Sequence, residues 1–379
     1  MAQMLKTDWI LFITVLVMVL FGLLMVYSAS SVMAQLQYGS TWHFAWRQGI
    51  WALGGVAALM ALKRMPYRRL QSPVVAFGGM GLVILLLALV YVLDPHHRWL
   101  RLGGPVGFQP SELAKPALVI FLAYFAAWRA RAINDRHTLA PAALATGLLL
   151  LAVVKPDLGT AVVLASTAAV VFFVAGLDWR TCVIGVVVAG VLLVLFVAME
   201  PYRTARVAKF FDPDFKKIMR IDPQGRIRDW VEKSLVTRDT NYQLEQSQIA
   251  VGAGGPAGLG PMNGKQKLLY LPKAHNDFIY AVVAEEWGLL GSVGLLMGFL
   301  FILWRGLRAT LRMRDDFGRY LALGVTAMVV IQGFLNMSVV LGMMPTKGIP
   351  LPLISYGGSS LVCTLASLGI LMNVSEHAG

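Results

Sequence analysis

Residues 271–278, Leu-Pro-Lys-Ala-His-Asn-Asp-Phe, set the carboxylate of Asp277 where a polar stretch runs into one of the longest apolar segments of the chain. A charge at membrane depth is costly unless it meets a partner or a water-filled cavity, so Asp277 is either a helix cap or an acid with a task. Four more polar groups share its setting. Arg98-Trp99 leads toward Gln109-Pro110-Ser111-Glu112-Leu113-Ala114-Lys115, where Pro110 and Ser111 suit a helix start and Glu112 and Lys115, three residues apart, share one helix face. That pair is an internal ion pair, part of a polar cavity, or both. Lys155-Pro156-Asp157-Leu158-Gly159-Thr160 is either a tight turn capped by Asp157 or a charged break that lines a cavity. The run from Gly252 to Gly260 could let backbone amides approach phosphate oxygens, but it lacks the lysine spacing and strand-to-helix context of a nucleotide loop, so a shaped loop is the default. Pro345 to Ser360 holds three prolines and three glycines in an apolar neighbourhood, which excludes a regular helix and suggests a re-entrant or cavity-lining loop.

The elements that must position these groups are membrane spans. Of the chain's residues 57% are hydrophobic and 14% charged, and many runs reach the roughly 20 residues that a bilayer helix needs. The predicted fold is all-α, a polytopic bundle of ten spans over 9–28, 48–62, 73–93, 111–128, 139–154, 158–176, 181–199, 277–304, 320–343 and 356–374. It is read as a single transmembrane domain over 1–379, with 201–276 as one large extracytoplasmic loop. Within that loop, 215–236 mixes apolar and charged residues and is either an interfacial amphipathic helix, broken at Pro223 and Gly225, or solvated chain.

Lys and Arg retained in short loops set orientation. Lys63, Arg64, Arg68 and Arg69 follow the second span; Arg129, Arg131 and Arg136 the fourth; Arg180 the sixth; Arg305, Arg308, Arg312, Arg314 and Arg319 the eighth. Both termini are therefore expected in the cytoplasm, and all five polar groups at the exterior ends of spans. The long basic segment after Pro201 does not contradict this, because loops beyond about 60 residues escape the rule. A formal charge of +13 is largely accounted for by these anchors, whose partners are anionic membrane lipids; nothing argues for nucleic acid. Cys182 and Cys363, far apart, offer neither a disulfide framework nor metal-ligand spacing. The first apolar segment lacks a small-residue cleavage site and is expected to be retained.

These motifs, in this order, resemble the SEDS family of polytopic membrane proteins, the peptidoglycan glycosyltransferases of bacterial division and elongation. The matching residues are Arg98-Trp99, Gln109-Pro110-Ser111-Glu112 with Lys115, Pro156-Asp157-Leu158-Gly159-Thr160, the glycine-rich run, Ala274 to Ile279 with Glu285-Glu286, and Pro350-Leu351-Pro352-Leu353-Ile354-Ser355-Tyr356-Gly357-Gly358-Ser359-Ser360. Gln266 to Pro272 and Asn336 to Gly348 are closer to the division member, FtsW, than to the elongation member, RodA. Three features depart from the pattern: Asn276 stands where Thr is usual, Lys155 where Gln is common, and the stretch between Pro213 and Tyr242 is longer than usual.

The resemblance implies polymerisation of lipid II into glycan strands outside the cytoplasmic membrane, with Asp277 as the general base. Substrate contacts would come from Arg98, Glu112, Lys115, Asp157, His275, Lys347, Ser355, Ser359 and Ser360. Arg98, Lys115 and Lys347 would stabilise the departing pyrophosphate, and a divalent cation (Mg or Mn) could assist, with unknown ligands. No organic cofactor is expected. A helix start at Asp277 would hold it ionised through the dipole, and His275 would orient or pack the loop. Expected partners are lipid II and the growing strand, a class B penicillin-binding protein transpeptidase and other divisome proteins. Rival readings are a lipid II flippase, an elongation-type polymerase, and a structural member of the division assembly that is active only with its transpeptidase.

Overall fold

The computed structural model describes residues 7–94, 98–101, 107–212, 222, 229–231, 240–345 and 348–378. Nearly every apolar segment in them is helical: α1 Trp9–Tyr38, α2 His43–Arg64, α3 Pro73–Leu93, α4 Pro110–Trp128, α5 Arg136–Val154, α6 Leu158–Val174, α7 Trp179–Ala198, α8 Pro201–Phe211, α9 Thr240–Gly254, α10 Ile279–Arg312, α11 Asp316–Val340 and α12 Gly358–His377. The ten expected spans correspond to all of these except α8 and α9. By length and composition eight can cross a membrane. Of the other two, α6 is apolar but 17 residues long, and α2 carries Arg47 and Gln48 in its first turns.

Apolarity does not mark the ends of these helices. The first runs ten residues past its expected end, α2 starts five residues earlier and α10 ends eight later, because the backbone ladder continues into amphipathic turns. Short two-residue strands, Leu100–Arg101 (β1) and Gly107–Phe108 (β2), pair antiparallel before α4, an addition that the all-α expectation lacked. Within residues 201–276, the stretch expected as one large loop, lie α8 and α9, and 255–278 is non-helical chain. Most of 215–236 lies outside the described residues.

Burial sorts the helices. Most of α11 is buried; it packs on α4, α6, α10 and α12. Small residues let it approach closely, as lipid-embedded helices require: a Cβ on Gly324 would lie 2.7 Å from Val119, and one on Gly333 2.7 Å from Phe299. No residue of α7 is buried, which suits a peripheral helix in lipid. Where the basic loops gather, the first and last helices are pinned together. Asp8 caps α1 through Leu11 N (3.2 Å), pairs with Arg305 (2.8 Å) and accepts from Ser375 Oγ (2.7 Å); Lys63 pairs with Glu376 (3.1 Å).

The helix at 279–312 is broken rather than continuous. Gly288 has φ 62° and ψ −153°, a conformation open to glycine, and the break orphans backbone groups that lipid cannot satisfy. The glycine-rich run supplies the partners. Leu259 N and Gly260 N donate to the carbonyls of Glu285 and Glu286 (2.9 and 3.0 Å), while Leu289 N and Leu290 N donate to those of Gly255 and Pro256 (2.9 and 3.3 Å). Its glycines are needed for backbone-to-backbone approach: a Cβ on Gly288 would lie 2.7 Å from Gly255 O. This run is a splice for a broken helix, not an anion cradle.

Candidate active site

Asp277 lies two residues before α10, whose cap position is Phe278 with no side-chain cap bond; the helix-cap alternative therefore fails. Asp277 opens instead onto a cleft of about 600 Å³. The cleft is bounded by α2 (Arg47, Trp51), the β1–β2 hairpin (Arg98, Trp99, Gly107), the start of α4 (Gln109, Glu112), the loop before α10 (Lys273, Asn276, Asp277) and the segment 350–360.

The loop that carries Asp277 is tied down on two sides. On one, Glu285 accepts from Lys265 N and Gln266 N (2.7 and 3.1 Å), and Glu286 accepts from Met262 N (3.1 Å), Lys267 Nζ (2.7 Å) and Ser28 Oγ (2.5 Å). The Lys267–Glu286 pair is almost wholly inaccessible, at 3% and 0%. On the other, Asn336 Nδ2 donates to the carbonyls of Asp277 (2.8 Å) and Ile349 (2.6 Å), and Ser355 Oγ to that of Asn276 (2.7 Å). The proline-rich loop is thus welded to the Asp277 loop, and a Cβ on Gly348 would lie 2.5 Å from Asp277 Oδ2. Only glycine leaves room for the carboxylate there.

Burial pushes the Asp277 carboxyl above its ordinary range. Arg98, then Lys273 and Arg206, oppose that shift, and Asp157 reinforces it. A carboxylate disfavoured by desolvation is a stronger base once ionised. His275 is pushed down to about 4 by burial and by Lys273, so it is neutral near pH 7. Its ring packs 4.7 Å from Phe44 and 5.7 Å from Tyr356, and its carbonyl accepts from Tyr356 N (2.9 Å). It packs the loop and does not line the cleft.

The other expected site residues divide. Arg98, Glu112, Ser359 and Ser360 line the cleft with Asp277. Lys115 stands behind that wall, buried and spent on Glu112 (2.7 Å) and Gln332 (2.8 Å); Gln332 in turn holds the Pro350 carbonyl (2.9 Å). Asp157 is the cap of α6, accepting from Thr160 N (3.0 Å) and Gln109 Nε2 (3.1 Å), with Arg98 3.9 Å away. Ser355 staples its loop, accepting from Leu351 N (2.8 Å). These residues hold the site from behind. Lys347, like Thr346, lies outside the described residues, as do His96 and His97.

Arg47, Trp51, Gln109, Lys273, Asn276 and Tyr356 join the site without having been expected as contacts. Arg47 and Trp51 look like interface anchors in sequence, and only the packing of α2 on α12 turns them inward. Lys273 carried a usable signal in its place four residues before Asp277; its backbone is left-handed, with φ 57°, a conformation that costs a non-glycine residue and tends to mark functional loops.

Among the described residues, no three His, Cys, Asp or Glu side chains converge to hold a metal. Glu112 is committed to Lys115 and Asp157 to its cap. The donor set fits only an ion carried largely by substrate phosphates, as magnesium often is.

The family described as "Cell cycle protein", comprising FtsW, RodA and SpoVE, matches residues 8–379. A protein of Geobacter metallireducens described as a probable peptidoglycan glycosyltransferase FtsW is 37% identical, over 98% of this chain and 95% of its own length. Stage V sporulation protein E of Bacillus subtilis is 34% identical, over 98% and 97%. Among solved structures, a chain from work on the structural coordination of polymerization and crosslinking by a peptidoglycan synthase complex superposes with a TM-score of 0.75 at 32% identity, covering 98% of both chains. RodA of Thermus thermophilus superposes with a TM-score of 0.68 at 30% identity, covering 98% and 97%. The match is end to end, and the motifs that carried the resemblance are those that build the cleft: the chain belongs to the FtsW/RodA/SpoVE family.

Proposed function

We propose that this chain is a peptidoglycan glycosyltransferase that polymerises lipid II at the outer face of the cytoplasmic membrane, in division rather than elongation. The observation that carries it is the meeting of Asp277 with fixed cations in an open cleft. Support for the division role comes from the curated relatives described as FtsW.

In the reaction, the Asp277 carboxylate takes the proton of the acceptor GlcNAc 4-hydroxyl. The oxygen attacks the anomeric carbon of the lipid-bound MurNAc, the bond to pyrophosphate breaks on the opposite face, and the configuration inverts. Charge then accumulates on the leaving group, and Arg98 with Lys273 stands where fixed positive charge stabilises it without reorganisation. Lys115 is withdrawn from that task because it neutralises Glu112. Both α4 and α12 meet the cleft with their first turns, which adds positive partial charge toward the phosphates. A magnesium or manganese ion would be held mainly by the pyrophosphate oxygens themselves, as magnesium often is, and would supply further neutralisation of the leaving group.

Purified protein given lipid II in detergent tests this, alone and with its transpeptidase partner. Polymer is expected, and Asp277→Asn should reduce it by about 10²- to 10⁴-fold, the range for a general base. Near-normal polymer from that variant would overturn the assignment, and lipid translocation without polymer would favour a flippase. A class B penicillin-binding protein is the proposed partner, supported by the likeness to a chain of a synthase complex; polymer made only by the complex would mean that activation is required. Both termini are placed in the cytoplasm on the strength of the basic loops.

A further inference from the structure

Three tryptophans at the start of the second helix, Trp42 at its cap and Trp46 and Trp51 within it, have two kinds of surroundings. Trp42 and Trp46, four residues apart, are 62% and 71% exposed, as suits rings serving a membrane interface. Trp51 lies five residues past Trp46, which turns it by about 140° round a helix of 3.6 residues per turn. It lines the cleft directly against the start of α12, where a Cβ on Gly358 would lie 2.5 Å from the indole Cδ2.

Two further rings share the cleft. Tyr356 is braced edge-on by Phe44 at 5.2 Å and 86° and lines the cleft together with Arg47. Trp99 stands 38% exposed over Gly107, where a Cβ would lie 3.0 Å from its ring. The cleft therefore has an aromatic character as well as a charged one, and the charges at Asp277, Arg98 and Lys273 leave the rings without a role in proton or phosphate chemistry.

A pyranose has matching halves: a rim of hydroxyls that needs hydrogen bonds and a face of axial C–H groups that gains by leaving water. Aromatic rings with a polar edge suit such a ligand, and their few rotatable bonds make ordering them cheap. A cleft of about 600 Å³ is the size of a site for one small ligand, so a strand of sugars must extend beyond it. It then needs a wall that grips a ring without enclosing it.

We propose that Trp51, Tyr356 and Trp99 form a saccharide subsite that takes the apolar face of an N-acetylhexosamine ring and holds the glycan beside Asp277. This rests on the proposed polymerase function. The ring is that of the donor or of the acceptor strand, and one set of variants separates them.

The experiment titrates the purified full-length protein with the N-acetylglucosamine tetrasaccharide and follows saturation-transfer NMR. Saturable binding is expected for the wild type and for Asp277→Asn, at least tenfold weaker for Trp51→Leu, and largely restored in Trp51→Phe. Trp46→Leu, on the outward face, should bind as the wild type does. In polymerisation assays with lipid II, shorter strands from Trp51→Leu at unaltered KM place the acceptor on this wall; a raised KM places the donor there. No tetrasaccharide binding by the folded wild type, or equal binding by Trp51→Leu, overturns the subsite. Full activity of Asp277→Asn would sink the polymerase mechanism instead, with the binding results standing apart from it.

Discussion

At the residue scale, Asp277 has opposing demands from chemistry and folding. Because burial raises its folded pKa, the folded state prefers the protonated form; that contribution to stability is complete below the unfolded value of about 3.9 and is lost as pH rises through the folded value. Asn imitates the protonated form. Asp277→Asn should therefore melt higher than the wild type at pH 7 and equally at pH 3, by thermal unfolding in detergent, while losing activity; a lower melting temperature at pH 7 would contradict the burial argument. The acid limb of the activity profile should lie above the ordinary carboxylate range. Since Arg98 is the largest influence opposing the shift, Arg98→Gln should move that limb further up, in addition to slowing turnover at its plateau. A limb that stays in place would separate Arg98 from the base.

At the element scale, the Asp277 loop is held by charges from α10 and by carbonyl contacts from α11, not by helix propensity. Glu286→Gln leaves the Lys267 ammonium buried without its anion, a loss of about 3–5 kcal/mol where such pairs are broken. Removing both charges, with Glu286→Leu and Lys267→Met, should recover most of that stability, because desolvation no longer has to be offset. Melting temperatures of the three proteins test this, and equal losses in the single and double variants would argue against a charge-pair origin. The same comparison shows why these residues were legible only as motif letters. Glu285-Glu286 is visible in sequence, but that it clasps Met262 to Lys267 depends on a break at Gly288 and on a glycine run that returns to fill it.

At the scale of the whole molecule, the chain is a multi-pass membrane protein whose charged cleft gathers at the ends of helices opposite the basic loops. That arrangement disfavours alternating access, which requires a site reachable from both faces. It also makes topology a decisive measurement. In a background with Cys182→Ser and Cys363→Ser, a thiol reagent that does not cross the membrane should label Asn263→Cys in intact cells. It should label Gln71→Cys only after the cytoplasmic side is opened. The reverse pattern would put Asp277 in the cytosol and end the case for glycan synthesis there.

Apolar length alone specified an all-helical membrane bundle, since a backbone in lipid must satisfy its own hydrogen bonds, and basic loops suggested its orientation. The positions of Asp277, Arg98 and Glu112 were legible because charge at membrane depth stands out against 57% hydrophobic residues. Which of those charges face substrate was not legible. Lys115 and Glu112 differ by less than one helical turn, yet one is sealed behind the wall and the other lines it, and Trp51 differs from Trp46 only by rotation round α2. Such distinctions depend on which helix packs against which face. Those contacts join residues hundreds of positions apart, so tertiary structure alone decided them.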